Sequence, residues 1–310
     1  KFFDELNIPD ADINLGIGSG SHAEQVGNTM IKFEKVLLQE KPDWVIVVGD
    51  VNATLACSVT AKKLNIKVCH IEAGLRSGDM TMPEEINRLV TDRLSDLLLT
   101  PDELSSYNLR KEGVPEEKIK FVGNIMIDTL EKNREYSSSI KIKDIVDNNI
   151  LHRNDNLIYP NDNGPYAVLT LHRPSNVDQK TVLEPILNFI SDEVASQMPV
   201  IWPIHPRTAK MLQNFELWEK TIKSKNIILL HPIGYLEMLR LNMSATIMLT
   251  DSGGLQEECT ILGTPCLTLR WNTERPVTLK EHGGASILVG NNVSRIRDEY
   301  KEALTKQRIP

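Results

Sequence analysis

Thr246-Ile247-Met248-Leu249-Thr250-Asp251-Ser252-Gly253-Gly254-Leu255-Gln256-Glu257-Glu258 decides the fold, because an apolar run feeds directly into a small-residue turn and then into a segment of helical character. A strand, a tight turn and a helix start in that order form the building step of an α/β domain. Glycines let backbone approach a ligand closely, and the free N–H groups of a first helical turn, with the positive end of the helix dipole behind them, attract anions. A phosphate fits such a turn. Glu257 and Glu258 are expected in that first turn, where a carboxylate favours the helix and accepts hydrogen bonds from sugar hydroxyls. A nucleotide site accounts for these residues, and an ordinary helix capped by Ser252 or Asp251 accounts for them equally well.

The same alternation runs along the chain. Apolar or β-branched runs fall at residues 44–48, 67–71, 96–100, 119–122, 166–171, 199–204, 227–230, 246–250, 266–270 and 286–289, separated by longer segments of helical period. Apolar strands joined by helices predict parallel sheets covered on both faces. Residues 136–165 are rich in Ser, Asn and Asp and poor in apolar period, which marks a domain boundary, with a helix at 125–135 leading into it. The expected organisation is two Rossmann-like, doubly wound parallel-sheet domains, residues 1–126 and 127–310, facing a cleft, with ligands at the carboxyl ends of the strands.

Composition narrows the function classes. The formal charge is −7 over 310 residues and the basic residues are scattered, which argues against a nucleic-acid partner. No apolar run approaches the ~20 residues needed to cross a bilayer, so no membrane association is expected. Cys57, Cys69, Cys259 and Cys266 show no C-x-x-C pair and no His at ligand spacing, so buried free thiols in a reducing cytoplasm, and no metal site, are expected. The chain opens at Lys1-Phe2-Phe3 without Met and stops at Arg308-Ile309-Pro310, so a piece of a longer protein is expected. Gly16-Ile17-Gly18-Ser19-Gly20 is no dinucleotide fingerprint, because Ser21 stands where the third glycine is needed. With His22 and Gln25 it reads as a tight cleft-lining turn entering a helix near Ala23.

Several ionisable residues directly follow a strand: Asp50, Glu72, His172, His205 and Asp251. Any one of them is readily a helix cap or a solvated strand end, but proton-transfer chemistry needs such groups to converge. Pro83-Glu84-Glu85 reads as a helix opening, with Pro at its first position. His70, His152, His231 and His282 have no evident partner and read as core or surface residues.

The segments Ser19-Gly20-Ser21-His22-Ala23-Glu24-Gln25, Gly49-Asp50, His70-Ile71-Glu72-Ala73-Gly74-Leu75-Arg76-Ser77, Met82-Pro83-Glu84-Glu85-Ile86-Asn87-Arg88, Val122-Gly123-Asn124, His172-Arg173-Pro174-Ser175-Asn176-Val177-Asp178, His205-Pro206-Arg207, Asp251 to Glu258 and Thr273-Glu274-Arg275-Pro276 occur in this order. Together they closely resemble the non-hydrolysing UDP-N-acetylglucosamine 2-epimerases. The resemblance runs from about residue 13 to about residue 290, with the family's first strand and final helix lying outside the sequence. It implies a GT-B-like fold and interconversion of UDP-N-acetylglucosamine and UDP-N-acetylmannosamine without a cofactor.

By that resemblance Asp50, Glu72, Glu84 and His172 are the catalytic candidates. Ser252, Gly253 and Gly254 would meet the diphosphate, Glu258 the uridine ribose, and His205 and Arg275 the neighbourhood of the phosphates. Arg207 would be a further contact there, although an arginine two residues past a strand more often makes a surface ion pair. Arg76 and Arg88 lie near Glu72 and Glu84 in sequence and are expected to tune them. The resemblance also implies a cytoplasmic enzyme of cell-envelope polysaccharide synthesis, and a homodimer is the default assembly. A GT-B glycosyltransferase using a UDP-sugar donor, or a catalytically silent UDP-sugar-binding protein, are the alternatives.

Overall fold

The computed structural model describes residues 8–152 and 164–305, together with residues 6, 160 and 162. Both chain ends noted above, Lys1-Phe2-Phe3 and Arg308-Ile309-Pro310, lie outside the described residues, as does part of the 136–165 stretch. The chain forms two units that divide between Ile125 and Met126. Each of the ten apolar runs contains a strand, and every strand pair is parallel.

In the unit Pro9–Ile125 the order is α1 (His22–Glu40), β1 (Trp44–Val48), α2 (Asn52–Lys63), β2 (Lys67–Ile71), α3 (Pro83–Leu94), β3 (Leu97–Thr100), α4 (Glu103–Lys111) and β4 (Ile119–Phe121). The sheet runs β1-β2-β3-β4. Ser21 caps α1 in a capping box with Glu24, so this helix begins one residue before the expected Ala23. Pro83 opens α3 at its first position, as its fixed φ favours. Gly74 has φ +84, and a β-carbon there would lie 2.4 Å from the Ser105 carbonyl oxygen, so only glycine lets β2's loop pass so close to α4. Coverage on both faces holds only in part. Val45 and Val47 are buried against α1 and α2 residues such as Leu37 and Ala61, but Trp44, Ile46 and Val48 of the edge strand are exposed.

The second unit contains α5 (Ile125–Ser139), α6 (Ile142–Asn149), β5 (Ala167–Thr170), α7 (Pro174–Val177), α8 (Lys180–Phe189), β6 (Val200–Pro203), α9 (Pro206–Asn214), α10 (Trp218–Lys223), β7 (Ile227–Leu230), α11 (Tyr235–Ser244), β8 (Ile247–Thr250), α12 (Gly253–Leu262), β9 (Cys266–Thr268), β10 (Ser286–Leu288) and α13 (Val293–Thr305). Its sheet runs β10-β9-β8-β5-β6-β7. The chain lays down β5, β6 and β7 in one direction, then returns to place β8 on the other side of β5. That reversal is the topological switch point where doubly wound sheets open a ligand crevice.

Both faces of this sheet are buried. Ala167 and Leu169 pack with Leu183, Phe189 and Trp202, while Val168 packs on the opposite face with Ile201, Ile228 and Met248. α6 contributes Ile142, Ile145 and Val146 to that second cluster. Within the polar 136–165 stretch, residues 142–149 are therefore a helix anchored by one apolar stripe at i, i+3 and i+4, too short to register against the surrounding Ser, Asn and Asp.

Leu169 lies at the centre of β5 with no exposed surface. Leu169→Ala should cost about 3 kcal/mol of stability through lost burial and the cavity left behind. Urea unfolding followed by circular dichroism checks this, with the denaturant slope unchanged.

Candidate functional site

At the switch point, β5 and β8 lie side by side and each ends in a threonine. The Thr170 and Thr250 hydroxyls are 2.6 Å apart, and Thr250 Oγ1 accepts the Ser252 N–H at 3.0 Å. Asp251 follows β8 and is fully buried. Its carboxylate accepts the backbone N–H of His172 and Arg173 and the Asn176 side-chain amide at 2.9–3.1 Å, while His172 Nδ1 stands 2.8 Å away. Burial alone opposes ionisation of Asp251, but the His172 ring, the Arg173 N–H and the Asn176 amide outweigh it and hold the carboxyl below its usual range. Asp251 thus fixes the His172 ring through Nδ1 and leaves Nε2 as the nitrogen able to exchange a proton.

His205 follows β6, and its ring centroid is 5.6 Å from that of His172. His205 Nδ1 accepts the Arg207 N–H at 3.1 Å and so caps α9. The remaining hydrogen of the neutral ring is then on Nε2. Burial and the neighbouring His172 lower the His205 pKa below its ordinary value. Arg207 forks onto Asp178 at the surface, as a strand-end arginine is expected to. A hollow of about 190 Å³ opens among His172, His205, Ile233, Met238, Ser252 and Leu255.

α12 begins at Gly253 with Ser252 as its N-cap. Its first turn therefore holds no acid. Glu257 and Glu258, expected in that turn, lie in the next one, because the Ser252 cap and the two glycines occupy the helix start. Both are buried, and Glu258 Oε2 has no hydrogen-bond partner among the described residues. Burial, eased by an Asn242 hydrogen bond and reinforced by the Glu257 charge, pushes the Glu258 carboxyl up to about 7. Glu258 in turn adds to the burial that raises Tyr235 to about 12.

A β-carbon on Gly253 would lie 2.6 Å from Glu274 Oε1, so a side chain here would have to displace the carboxylate that pairs with Arg270. Glu274 pairs with Arg270 at 2.6 Å and, despite burial, is held at about 2 by that guanidinium. Arg275 is also buried, with Nη1 donating to Glu257 Oε1 at 2.7 Å.

In the other unit, Asp50 and Glu72 follow the adjacent strands β1 and β2. Arg88 donates to Asp50 Oδ2 from Nε and Nη2 at 3.0 and 2.7 Å, and Asn87 donates to the Asp50 carbonyl at 2.8 Å. Glu72 adopts φ +71, a left-handed conformation rare outside glycine, and its Oε2 is 3.8 Å from where a β-carbon of Gly49 would stand. Glu84 is half-buried at the second position of α3. The turn at 16–20 lines a hollow of about 280 Å³, and its neighbours His22 and Gln25 hydrogen-bond to Asn52.

Two residues to which sequence reasoning gave no part in the site, Glu85 and Asp92, hold this acidic cluster together. Glu85 accepts the N–H groups of Ser77 and Gly78, the Ser77 hydroxyl and the Arg88 guanidinium, which together outweigh its burial and lower its pKa. Asp92 accepts from Gly74 and Arg76 and faces His70. Arg76 and Arg88, expected to tune Glu72 and Glu84, make ion pairs with Asp92 and Glu112 and with Glu85 and Asp50. The available signal was the spacing Glu85-x-x-Arg88-x-x-x-Asp92, which puts complementary charges on one face of a helix.

The family model described as UDP-N-acetylglucosamine 2-epimerase matches residues 1–309. The UDP-N-acetylglucosamine 2-epimerase of Methanocaldococcus jannaschii is 45% identical over 308 residues, covering 99% of this chain and 81% of that protein. A crystal structure of the Methanocaldococcus jannaschii UDP-GlcNAc 2-epimerase in complex with UDP-GlcNAc and UDP matches with a TM-score of 0.87 at 44% identity, covering 99% of this chain and 81% of that one. The UDP-2,3-diacetamido-2,3-dideoxy-D-glucuronate 2-epimerase of Pseudomonas aeruginosa is 36% identical, covering 98% of this chain and 80% of that protein.

Glu258 has a direct thermodynamic consequence. The folded protein keeps its proton up to about pH 7, whereas an unperturbed glutamate releases it near 4.5. The folded state binds the extra proton between those values, so Glu258's contribution to stability is complete below about pH 4.5 and declines as pH rises to about 7. Glu258→Gln removes that dependence. The stability of the variant relative to the parent should rise by roughly 2–3 kcal/mol between pH 4.5 and pH 8. A difference that stays flat across urea titrations at those pH values would contradict the raised pKa.

Proposed function

The chain belongs to the UDP-N-acetylglucosamine 2-epimerase family, and from that premise we propose that it interconverts UDP-N-acetylglucosamine and UDP-N-acetylmannosamine. The C2 proton of the sugar is too weakly acidic for simple deprotonation to be efficient. Anti- or syn-elimination solves this: C2 loses its proton, the C1–oxygen bond to UDP breaks, and 2-acetamidoglucal forms. Re-addition of UDP to C1 with protonation of the opposite face of C2 completes the inversion, and the two steps balance without an electron acceptor.

The observation that carries this reading is the Asp251–His172 pair beside the Ser252-Gly253-Gly254 helix start, at the switch point of a sheet built for nucleotides. We assign the diphosphate to Ser252, Gly253 and Gly254, where helix N–H groups stabilise UDP as it leaves. His205 offers its Nε2–H to a phosphate oxygen, and Arg275 adds positive potential. The ribose hydroxyls would supply the hydrogen bonds that burial denies Glu258 Oε2. Asp50, Glu72, Glu84 and His172 are the candidates for moving the C2 proton off one face and onto the other.

Relatives at 44% and 45% identity named as UDP-N-acetylglucosamine 2-epimerases favour this substrate over the diacetamido-glucuronate named for the 36% relative. A glycosyltransferase with the same fold would need an acceptor. A silent UDP-sugar binder would leave C2 untouched. The same reading assigns the protein to the cytoplasm, as a homodimer serving cell-envelope polysaccharide synthesis; among the described residues no helix is long and apolar enough to cross a membrane.

Incubation with UDP-N-acetylglucosamine alone in deuterated water should incorporate deuterium at C2, read by NMR. Glu72→Gln and Glu84→Gln keep size and hydrogen bonding but remove the titrating proton, so each should lower kcat by roughly 10²–10⁴ with little change in KM. If both exchanged C2 hydrogen at the parent rate, the proton carriers would have to be Asp50 and His172.

Glu258→Ala should weaken UDP binding by roughly 1–3 kcal/mol, since it strips a hydrogen-bonding carboxyl from the ribose. Calorimetry of the folded variant with unchanged UDP affinity would return the 251–258 segment to the role of a plain helix cap.

A further inference from the structure

We propose that His70 is the positioning residue that sets Asp50 and Glu72 relative to one another, an inference that rests on the epimerase reading of the acidic site. His70 lies in the middle of β2, with no exposed surface, its Cα paired with those of Val47 in β1 and Leu98 in β3. Its Nε2 is 2.9 Å from the carbonyl oxygen of Gly49, and its Nδ1 is 2.6 Å from Asp92 Oδ1. A carbonyl only accepts, so Nε2 carries a hydrogen, and one further proton is shared between Nδ1 and Asp92. Asp92 Oδ2 then accepts the Gly74 N–H at 3.0 Å and Arg76 Nη1 at 2.7 Å. Arg76 closes the chain by forking onto Glu112, with both contacts at 2.7 Å.

One ring therefore joins the residue before Asp50 to the residues that bracket Glu72. His70 and Gly74 stand two positions to either side of Glu72, and both are bonded to Asp92. This clamp suits the left-handed backbone at Glu72, because a non-glycine residue keeps a positive φ only where its surroundings over-determine it. No apolar side chain could do the same. The two acceptors lie on opposite edges of one planar group, and a buried network of this kind holds geometry only when each member is satisfied. Both ring nitrogens of His70 are taken up by Asp92 and the Gly49 carbonyl, so it acts through backbone placement.

Two conservative changes separate the edges of the ring. His70→Gln returns an amide near the place of Nε2, toward Gly49, whereas His70→Asn returns one near the place of Nδ1, toward Asp92. Each should lower kcat by roughly 10–100-fold, as displacement of reacting groups by an ångström does, with KM and the UDP dissociation constant within about 3-fold of the parent. Asp92→Asn should show the same split, and combining it with His70→Asn should add little, since both break one linkage. Folded fraction is read by circular dichroism and melting temperature. If the folded His70 variants keep the parent kcat, or lose activity only in proportion to their folded fraction, His70 is a core residue and the proposal is overturned. If neither His70 variant folds, Asp92→Asn decides it, and parent-like kcat per folded molecule overturns the proposal. Failure of the parent protein to exchange C2 hydrogen would instead overturn the epimerase reading itself, and the inference with it.

Discussion

The inward face of α3 is charged, and the organisation of the acidic site follows from that fact. Glu85, Arg88 and Asp92 fall at i, i+3 and i+7 and are all buried. Charges removed from water are costly unless each finds a partner of opposite sign and its remaining hydrogen-bonding capacity is filled. Besides the Glu85–Arg88 pair on α3 itself and His70 in β2, the partners lie in loops. Glu85 gathers the 77–78 turn, Arg88 gathers Asp50, and Asp92 gathers Gly74, Arg76 and His70. A helix with an apolar inner face would leave those loops free to choose among conformations. The desolvation cost of α3 is thus offset by contacts that also specify where two acids at the strand ends stand.

The second unit solves a different problem. The anion site proposed at the start of α12 needs exposed N–H groups, yet a helix start without partners inside a protein is itself unfavourable. α12 meets both needs by starting on two glycines after the Ser252 cap, with Asp251 turned inward to bind the His172 and Arg173 backbone. Two threonines at the ends of β5 and β8 hold the turn, and the Glu274–Arg270 pair fills the space that a side chain at Gly253 would need.

Much of this was legible in the sequence. The ten strands among the described residues were marked by apolar runs, because most parallel strands are buried on one or both faces, a pattern that needs no knowledge of partners. The strand-end residues Asp50, Glu72, His172, His205 and Asp251 followed from the same runs. What the sequence did not reveal depends on contacts between distant segments. The exposed face of β1 and the return of β8 beside β5 are matters of sheet order, which periodicity does not encode. α6 was hidden by its polar surroundings, since three apolar residues in eight make a weak stripe. His70 read as a lone histidine because its partners lie 21 and 22 residues away. The destinations of Arg76 and Arg88 were missed for the same reason: nearness along the chain suggested Glu72 and Glu84, while the helical phase of α3 turned Arg88 toward Asp50.

The backbone of Glu72 carries an evolutionary consequence. At φ +71 the conformation costs of the order of 1 kcal/mol or more for a residue with a β-carbon, and glycine or asparagine would relieve it. Glu72→Gly is therefore a change that selection for robustness alone, or an engineer seeking heat tolerance, would favour at this position, and it would delete a carboxylate in the same step. With Glu72 in the proton-carrying role proposed above, retaining glutamate there would set a ceiling on how far this domain can be hardened without surrendering that chemistry. On the same proposed role, glycine or asparagine at this one site would mark sturdier descendants that bind without turnover.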